Sequence, residues 1–327
     1  MASRSAVSDF GTTPEGESVQ RITIASPELT VSVLDRGAIL QGVWLPGLAQ
    51  NLTLGSEVLA DYFPTMQFHG ALIAPVVNRL SGGAVEIDGT LCRFEKNLDD
   101  RMTLHSGATG AQHRRWEVVT VAADRVVLRI DLPDGLGGFP GNRVVTAEYT
   151  VTGAALRLAV TATSDAPTIF NAANHSYWNL DGSANFSGHR LKVAAESWLP
   201  GDADFAPTGE IRGVEGTAMD FRRERELAPD TPPLDNTFCL SHGQVALRDV
   251  LWLTGGSGVS MTVATTEPGI QLYDARNARR PGHGAYEGLA IEAQNWPDAP
   301  SHAGFPSFAR MPGEEKRQVT EWRFVRR

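Results

Sequence analysis

Two runs of alternating apolar and polar residues decide the fold: V-V-T-A-E-Y-T-V at Val144–Val151 and A-L-R-L-A-V-T-A at Ala155–Ala162. Successive side chains of a β-strand point to opposite faces, so each run predicts a strand with one buried face. The link between them contains Thr-Gly, and a short link with glycine is typical of an antiparallel hairpin. This stretch therefore predicts an antiparallel sheet.

The same pattern recurs on both sides of this hairpin, at a spacing of roughly ten residues. Further strands are predicted at Val19–Ala25, Leu29–Leu34, Ala38–Leu45, Trp116–Val121, Arg125–Asp131, His189–Val193, Val245–Leu253, Gly258–Thr265, Gln271–Tyr273 and Lys316–Phe324. An Asp-Gly pair inside Val85–Leu91 predicts another hairpin. Helical periodicity is scarce, and only Ser56–Tyr62 predicts one or two turns, with Ser56 as N-cap.

The 327 residues include 33 glycines and 19 prolines, with no linker long enough to separate two domains. No internal repeat occurs at periods of about 20–50 residues. Many short strands and little helix predict one all-β domain over residues 20–327, a large antiparallel β-sandwich. Residues 1–19 are polar and rich in small side chains, and we expect them to be a flexible N-terminus.

The formal net charge of −9 argues against sequence-independent nucleic-acid binding, which requires clustered cations. No apolar window of about 18 residues predicts a membrane span, and the N-terminus lacks an apolar signal segment. Cys92 and Cys239 stand far apart, so we expect reduced thiols and a cytoplasmic location. No phosphate-binding glycine motif or metal-ligand spacing is present, and we expect neither a cofactor nor a metal.

Glu292 stands inside an apolar run, L-A-I-E-A-Q-N-W-P at Leu289–Pro297, where a carboxylate requires partners or solvent. Four further polar clusters interrupt apolar or glycine-rich surroundings. They are P-V-V-N-R-L-S-G-G at Pro75–Gly83, T-L-H-S-G at Thr103–Gly107, N-A-A-N-H-S-Y-W-N-L at Asn171–Leu180 and P-L-D-N-T-F at Pro233–Phe238. Amides, aromatic rings and a guanidinium suit a hydroxyl-rich ligand. Each cluster also has an ordinary interpretation as a surface arginine, a loop histidine, a structural polar network or a turn cap.

In this order the clusters resemble the aldose 1-epimerase (galactose mutarotase) family, from about residue 20 to the C-terminus. The motifs that carry the resemblance are N-R-L-S-G-G at Asn78–Gly83, L-H-S-G at Leu104–Gly107, G-F-P-G-N at Gly138–Asn142, N-H-S-Y-W-N-L at Asn174–Leu180, T-T-E-P-G-I-Q at Thr265–Gln271, I-E-A-Q-N-W-P-D-A at Ile291–Ala299 and F-P-S-F-A-R-M-P-G-E-E at Phe305–Glu315. The resemblance implies a galactose mutarotase-like supersandwich without a cofactor. It also implies interconversion of the α and β anomers of a free monosaccharide.

The resemblance also implies roles for individual residues. Glu292 looks like the catalytic base and His175 like the acid. His105, Arg79 and Asp235 look like substrate-binding residues, and we add Asn78 and Trp296 as candidates for the same role. Trp296 either stacks on the sugar or walls the cleft. A carboxylate near the imidazole is expected to favour the protonated form of His175.

Other functions stay open at this point. A non-catalytic sugar-binding protein on the same fold is one, and an epimerase of a phosphorylated or acidic sugar, suggested by Arg276, Arg279 and Arg280, is another. A glycosidase using Asp235 and Glu292 as its carboxylate pair is a third. The segment A-P-V-V-N-R replaces the G-R-V-A-N-R that is common in the family, which leaves the sugar undecided. We expect a monomer or a homodimer.

Overall fold

The computed structural model describes residues 6–326, which form 27 β-strands and five short 3₁₀ helices. The strands are β1 (Ala6–Thr12), β2 (Ser18–Ala25), β3 (Thr30–Leu34), β4 (Ile39–Trp44), β5 (Leu72–Ile73), β6 (Arg79–Ser81), β7 (Ala84–Ile87), β8 (Thr90–Arg93), β9 (Met102–Leu104), β10 (Glu117–Val121), β11 (Arg125–Leu132), β12 (Arg143–Thr152), β13 (Ala155–Ser164), β14 (Thr168–Ile169), β15 (Ala173–Asn174), β16 (Tyr177–Trp178), β17 (Arg190–Val193), β18 (Ser197–Leu199), β19 (Arg212–Gly213), β20 (Arg225–Glu226), β21 (Asp235–Cys239), β22 (Arg248–Thr254), β23 (Val259–Thr265), β24 (Gly269–Tyr273), β25 (Leu289–Gln294), β26 (Ala309–Arg310) and β27 (Lys316–Arg326). The 3₁₀ helices are Leu59–Tyr62, Gly107–Thr109, Ala111–His113, Leu136–Gly138 and Ala299–Ser301.

The hairpin predicted from the alternating runs is confirmed as β12 and β13. The two strands pair antiparallel, with Val145 opposite Ala162 and Val151 opposite Leu156. Along β12 every second side chain is buried, as the sequence pattern predicts. The hairpin lies inside a nine-stranded sheet of order β10-β11-β12-β13-β27-β23-β22-β17-β20.

Two further sheets pack on the same hydrophobic core. One has the order β1-β2-β3-β4 and the other β16-β25-β24-β21-β18-β19. Val31 of β3, Val145 of β12 and Ile291 of β25 all belong to this core. The paired strands of these sheets are antiparallel, so the predicted all-β antiparallel sandwich is confirmed. Within residues 6–326, no helix has the length and apolar character needed to cross a membrane.

The N-terminal segment corrects one expectation. Residues 1–5 lie outside the described part of the chain, but β1 begins at Ala6 and pairs with β2 from Ala6 to Thr12. Phe10 packs edge-on against Tyr62, with 6.4 Å between ring centroids. Backbone pairing and this aromatic contact order a segment whose polar composition predicted flexibility.

The predicted helical turn at Ser56–Tyr62 is shorter than expected. It begins at Leu59, and its N-cap is Val58, without a side-chain capping bond. The Ser56 hydroxyl instead accepts from the backbone N–H of Val58 at 3.0 Å. It also donates to Asp61, so its hydrogen bonds form a turn that precedes the helix.

A buried ion pair stabilises the corner where the chain passes from β23 of the nine-stranded sheet to β24 of the six-stranded sheet. Lys316 on β27 lies 3.1 Å from Oε2 of Glu267 in this corner. Glu267 is completely buried and also accepts from Gln244 at 2.9 Å. Because the pair ties the corner to β27, it fixes how the two sheets meet.

Replacing Lys316 by methionine leaves the Glu267 carboxylate buried without its cation. We expect Lys316→Met to lower the free energy of unfolding by about 3–5 kcal/mol, measured by equilibrium guanidinium unfolding. Arg157→Met, which breaks the more exposed Arg157–Glu321 pair, is the matched control and costs about 1 kcal/mol or less. Equal losses in the two variants would contradict a structural role for the buried pair.

Candidate active site

The polar face of the six-stranded sheet carries Glu292. On β25, Leu289 and Ile291 point into the hydrophobic core, so Glu292 points to the opposite face. Glu292 pairs across the sheet with Gln271 of β24, and Gln271 pairs with Thr237 of β21. Directly paired residues lie on the same face, so these three side chains form one row.

A second row lies beside the first on the same face. Tyr177 of β16 pairs with Ala290 of β25, which pairs with Tyr273 of β24, which pairs with Asp235 of β21. Ala290 is two residues from Glu292, so the two rows share one face of the sheet. Strand register therefore brings together residues that are more than a hundred positions apart in the chain.

A cavity of about 490 Å³ lies over these rows. Six of the seven predicted site residues line it: Asn78, Arg79, His105, His175, Asp235 and Glu292. The structure thus brings together the polar clusters that the sequence analysis singled out.

Glu292 and His175 are adjacent in the lining of the cavity, with 3.5 Å between Oε1 of Glu292 and Nε2 of His175. Oε2 of Glu292 and Nδ1 of His175 are buried without a hydrogen-bond partner among residues 6–326. Burial, and then the charge of Asp235, raises the pKa of Glu292 well above its usual value, against the opposing effect of Arg79. Burial lowers the pKa of His175 to about 4.

These pKa shifts correct the expectation that a neighbouring carboxylate would favour protonated His175. Loss of water around the imidazole is the largest effect on its pKa, and only a backbone hydrogen bond opposes it. The carboxyl group is subject to the same loss of water, which favours its protonated form. When the pair holds one proton in total, ionised Glu292 is therefore a strong base and protonated His175 is a strong acid.

Asn78 and His105 hold each other through two hydrogen bonds, one to the imidazole ring and one between backbone groups. The N–H of Asn78 donates to Nδ1 of His105 at 3.1 Å, and the N–H of His105 donates to the carbonyl of Asn78 at 2.9 Å. Both residues have left-handed φ angles, 64° and 52°. Because Nδ1 accepts, a neutral His105 ring carries its hydrogen on Nε2. Burial lowers the pKa of His105 well below its usual value, so the ring is a neutral donor.

Arg79 and Asp235 form the hydrophilic end of the cavity. Nη2 of Arg79 lies 3.4 Å from Oδ2 of Asp235, and Nε2 of Gln271 donates to Oδ1 of Asp235 at 2.7 Å. The Asn78 side chain accepts from Arg79 at 3.3 Å, so Asn78 orients both Arg79 and His105. Gln271 was not predicted as a site residue, although it ends the T-T-E-P-G-I-Q motif and alternates with core residues along β24.

Trp296 lies outside the cavity, which corrects its interpretation as a sugar contact. Its ring is fully buried and packs edge-on against Phe305, with 5.1 Å between centroids. The indole N–H donates to the carbonyl of Pro268 at 3.0 Å. Strand β25 ends at Gln294, so the alternation that places Glu292 in the cavity does not extend to Trp296.

The three arginines suggested as an anion site are mostly engaged elsewhere. Arg276 lines the cavity but donates to Asp274 at 2.9 Å. Arg280 donates to Glu287 at 3.0 Å, and Arg279 is exposed. Carboxylates on the same loop therefore neutralise two of these cations, and the loop offers no arginine cluster to a phosphorylated or acidic sugar.

The aromatic side chain of Phe68 also lines the cavity, although the sequence did not predict it as a site residue. The Phe68 ring centroid lies 4.7 Å from that of His105 and 5.9 Å from that of His175. Phe68 follows a 3₁₀ turn without any motif that points to a site, so its position comes from tertiary packing alone.

Among residues 6–326, no group of three or more His, Cys, Asp or Glu is arranged to hold a metal ion.

The chain matches the aldose 1-epimerase family over residues 20–323. It belongs to that family. It is 31% identical to galactose mutarotase from Mus musculus over 333 residues, covering 96% of this chain and 97% of the relative. It is 29% identical to aldose 1-epimerase from Escherichia coli strain K12, with 95% and 97% covered. The resemblance found in the motifs is therefore confirmed.

Solved structures of the family share the fold. A homologue from C. elegans superposes with a TM-score of 0.86 at 29% identity, covering 94% of this chain and 98% of that chain. A galactose 1-epimerase from Lactobacillus acidophilus also gives 0.86, at 26% identity and 98% coverage of both chains. The galactose mutarotase-like supersandwich expected from the resemblance is confirmed by these similarities.

The position of Trp296 predicts that it affects stability and not sugar binding. We expect Trp296→Phe to lower the free energy of unfolding by about 1–3 kcal/mol, because it loses the bond to Pro268 and leaves a gap. KM for the sugar, measured by polarimetry, stays unchanged. Trp252→Phe on β22, which is only half-buried, serves as the control for removing an indole. A raised KM with unchanged stability would place Trp296 in the site after all.

Proposed function

We propose that this protein is an aldose 1-epimerase that interconverts the α and β anomers of a free aldose through Glu292 and His175. The observation that carries the proposal is the 3.5 Å contact between these two groups in the lining of the cavity. In a cyclic aldose, the hydroxyl oxygen O1 and the ring oxygen O5 are both bonded to C1. A base for one and an acid for the other must therefore lie side by side.

Ring opening requires one proton to leave and another to arrive. Glu292 removes the proton of the C1 hydroxyl while His175 donates a proton to O5, and the C1–O5 bond breaks to give an aldehyde. The aldehyde rotates about the C1–C2 bond. His175 then takes the proton back from the C5 hydroxyl as O5 attacks the other face of C1, and Glu292 returns its proton to O1. The cycle consumes nothing, and each acid–base contact contributes about 10²–10⁴ in rate.

The remaining polar residues position the sugar. His105 offers the Nε2–H donor, Arg79 offers donors, and Asp235 offers acceptors to ring hydroxyls. Arg79 and Gln271 hold Asp235 in place, so its carboxylate does not need to reorganise when sugar binds. Because its carboxylate is held by these two partners, Asp235 suits the role of binding hydroxyls better than the role of second carboxylate in a glycosidase.

An acid–base pair also distinguishes an enzyme from a sugar-binding protein. Hydroxyl recognition requires donors and acceptors, which the Arg79–Asp235 end of the cavity supplies. It does not require a buried carboxyl group with a raised pKa beside an imidazole with a lowered one. The arrangement at Glu292 therefore favours catalysis over binding alone.

We also propose that residues 20–327, together with β1 and the start of β2, act as one domain, as a monomer or homodimer in the cytoplasm. The shared core of the three large sheets and the family match over residues 20–323 support the single domain. Size-exclusion chromatography tests the oligomeric state, and cell fractionation tests the location.

Glu292→Gln removes the base while keeping the size and polarity of the side chain. We expect kcat for mutarotation of α-D-glucose or α-D-galactose to fall by at least about 10²-fold, since general base catalysis is lost. The measurement is polarimetry of freshly dissolved sugar, corrected for the buffer rate. Glu86→Gln, on the exposed face of β7, is the matched control and keeps full activity. Near-normal turnover by Glu292→Gln would refute the assignment, and absence of catalysis in the wild type on every aldose tried would refute the enzyme.

The shared proton predicts a bell-shaped dependence of kcat/KM on pH. Below about pH 4 both groups are protonated, so Glu292 cannot accept a proton. Above the raised pKa of Glu292 both are deprotonated, so His175 cannot donate one. Activity should therefore rise as pH increases through about 4 and fall as it passes the pKa of Glu292. If kcat/KM stayed constant up to the highest pH at which the protein is folded, the pair would not need its proton for catalysis.

A further inference from the structure

His69 is a buried histidine of the cavity wall that the mechanism does not use. Only 3% of its surface is exposed, and it lines the same cavity as Glu292 and His175. Its ring stacks on Tyr177, with 4.3 Å between centroids and 28° between planes. Within the described residues, 6–326, its side chain makes no hydrogen bond to the protein. A polar ring in a cavity wall without such a bond is available to a ligand.

The backbone fixes His69 relative to the acid. Gly70, the next residue, donates its N–H to the carbonyl of His175 at 3.0 Å, and His175 donates to the carbonyl of Ala71 at 2.9 Å. The Asn174 side chain donates to the carbonyl of Gly70 at 2.8 Å. Gly70 has a φ of 72°, and a Cβ there would lie 2.2 Å from the carbonyl oxygen of Leu40. The two histidines therefore belong to one rigid pair of backbone segments.

The protonation state of His69 identifies the kind of group that it can bind. Burial, together with the nearby His175 and Arg280, lowers its pKa to about 3. The ring is therefore neutral near pH 7, with one N–H donor and one acceptor nitrogen. A sugar hydroxyl can both donate and accept, so it suits this ring. A phosphate or carboxylate gains no charge interaction there.

His69 stacks on Tyr177 at one end of the second row, and Asp235 forms the other end of that row. Tyr177, on which His69 stacks, belongs to β16, and Asp235 belongs to β21, three strands away in the sheet. Three steps of about 4.8 Å separate these backbones by about 14 Å. Glu292 lies on β25, one of the two strands between them, and therefore has groups that can hydrogen-bond hydroxyls on both sides.

We propose that His69 is a specificity-determining residue that hydrogen-bonds one neutral hydroxyl of the aldose, at the end of the cavity remote from Arg79 and Asp235. The inference rests on the proposed epimerase function. It explains how a site with a single charged pair at one end can also select among sugars at the other end.

The test compares wild type and His69→Phe on a parent hexose and on a set of its monodeoxy derivatives, each lacking one hydroxyl. Phenylalanine keeps the stack on Tyr177 and removes both nitrogens. We expect KM for the parent sugar to rise about 3- to 10-fold, the value of one neutral hydrogen bond, with kcat nearly unchanged. His242→Phe, at an exposed position, is the matched control. His69→Leu supplies the same comparison if His69→Phe does not fold.

The pattern across the sugars decides the outcome. The monodeoxy sugar that lacks the partner hydroxyl should have the same KM for wild type and variant, while the other sugars lose affinity. An unchanged KM for the parent sugar, or an equal loss on every sugar, would overturn the proposal. Wild-type turnover of the parent sugar is measured in the same experiment. Its absence would refute the epimerase itself, and the two failures are therefore distinguishable.

Discussion

Burial of the Glu292 carboxyl group on the polar face of a sheet is the constraint on which the site depends. The opposite face of strand β25 belongs to the main hydrophobic core through Leu289 and Ile291, so the strand cannot rotate or slip without exposing apolar side chains. A shift by one residue would also move the carboxyl group into that core. The packing that stabilises the fold thus determines where the base lies.

Loss of water at this position has consequences for both catalytic groups. It raises the pKa of Glu292 and lowers that of His175, so each group becomes more reactive in the form that the chemistry requires. The state with ionised Glu292 and protonated His175 is a minority state of the pair, because burial disfavours both charges. Groups around the pair counteract this effect only in part, since Arg79 favours the ionised carboxylate and Asp235 disfavours it. A polar ligand that enters the cavity adds partners that the protein itself does not supply.

The charges of the site are arranged so that a neutral ligand suits it best. Asp235 is held by Arg79 and Gln271, and Arg276 is held by Asp274. His105 is a neutral ring whose orientation is fixed by the backbone of Asn78. Each of these groups can still contact hydroxyls, but none is left as an isolated buried charge. This arrangement agrees with membership of a family whose relatives are named for aldoses and galactose.

The sequence by itself determined most of the longer strands, because alternation along a strand is a local property with a period of two. Through motifs whose order resembles the family, it also predicted which residues line the cavity, Glu292 and His175 among them. Only the tertiary structure decided which polar residues face the cavity. Gln271 and His69 reach it through strand register and a backbone contact with the His175 segment, whereas Trp296, two residues beyond the end of β25, packs into a core. The protonation preferences of Glu292 and His175 were likewise decided by burial, which depends on every element packed around them and has no local signal in the chain.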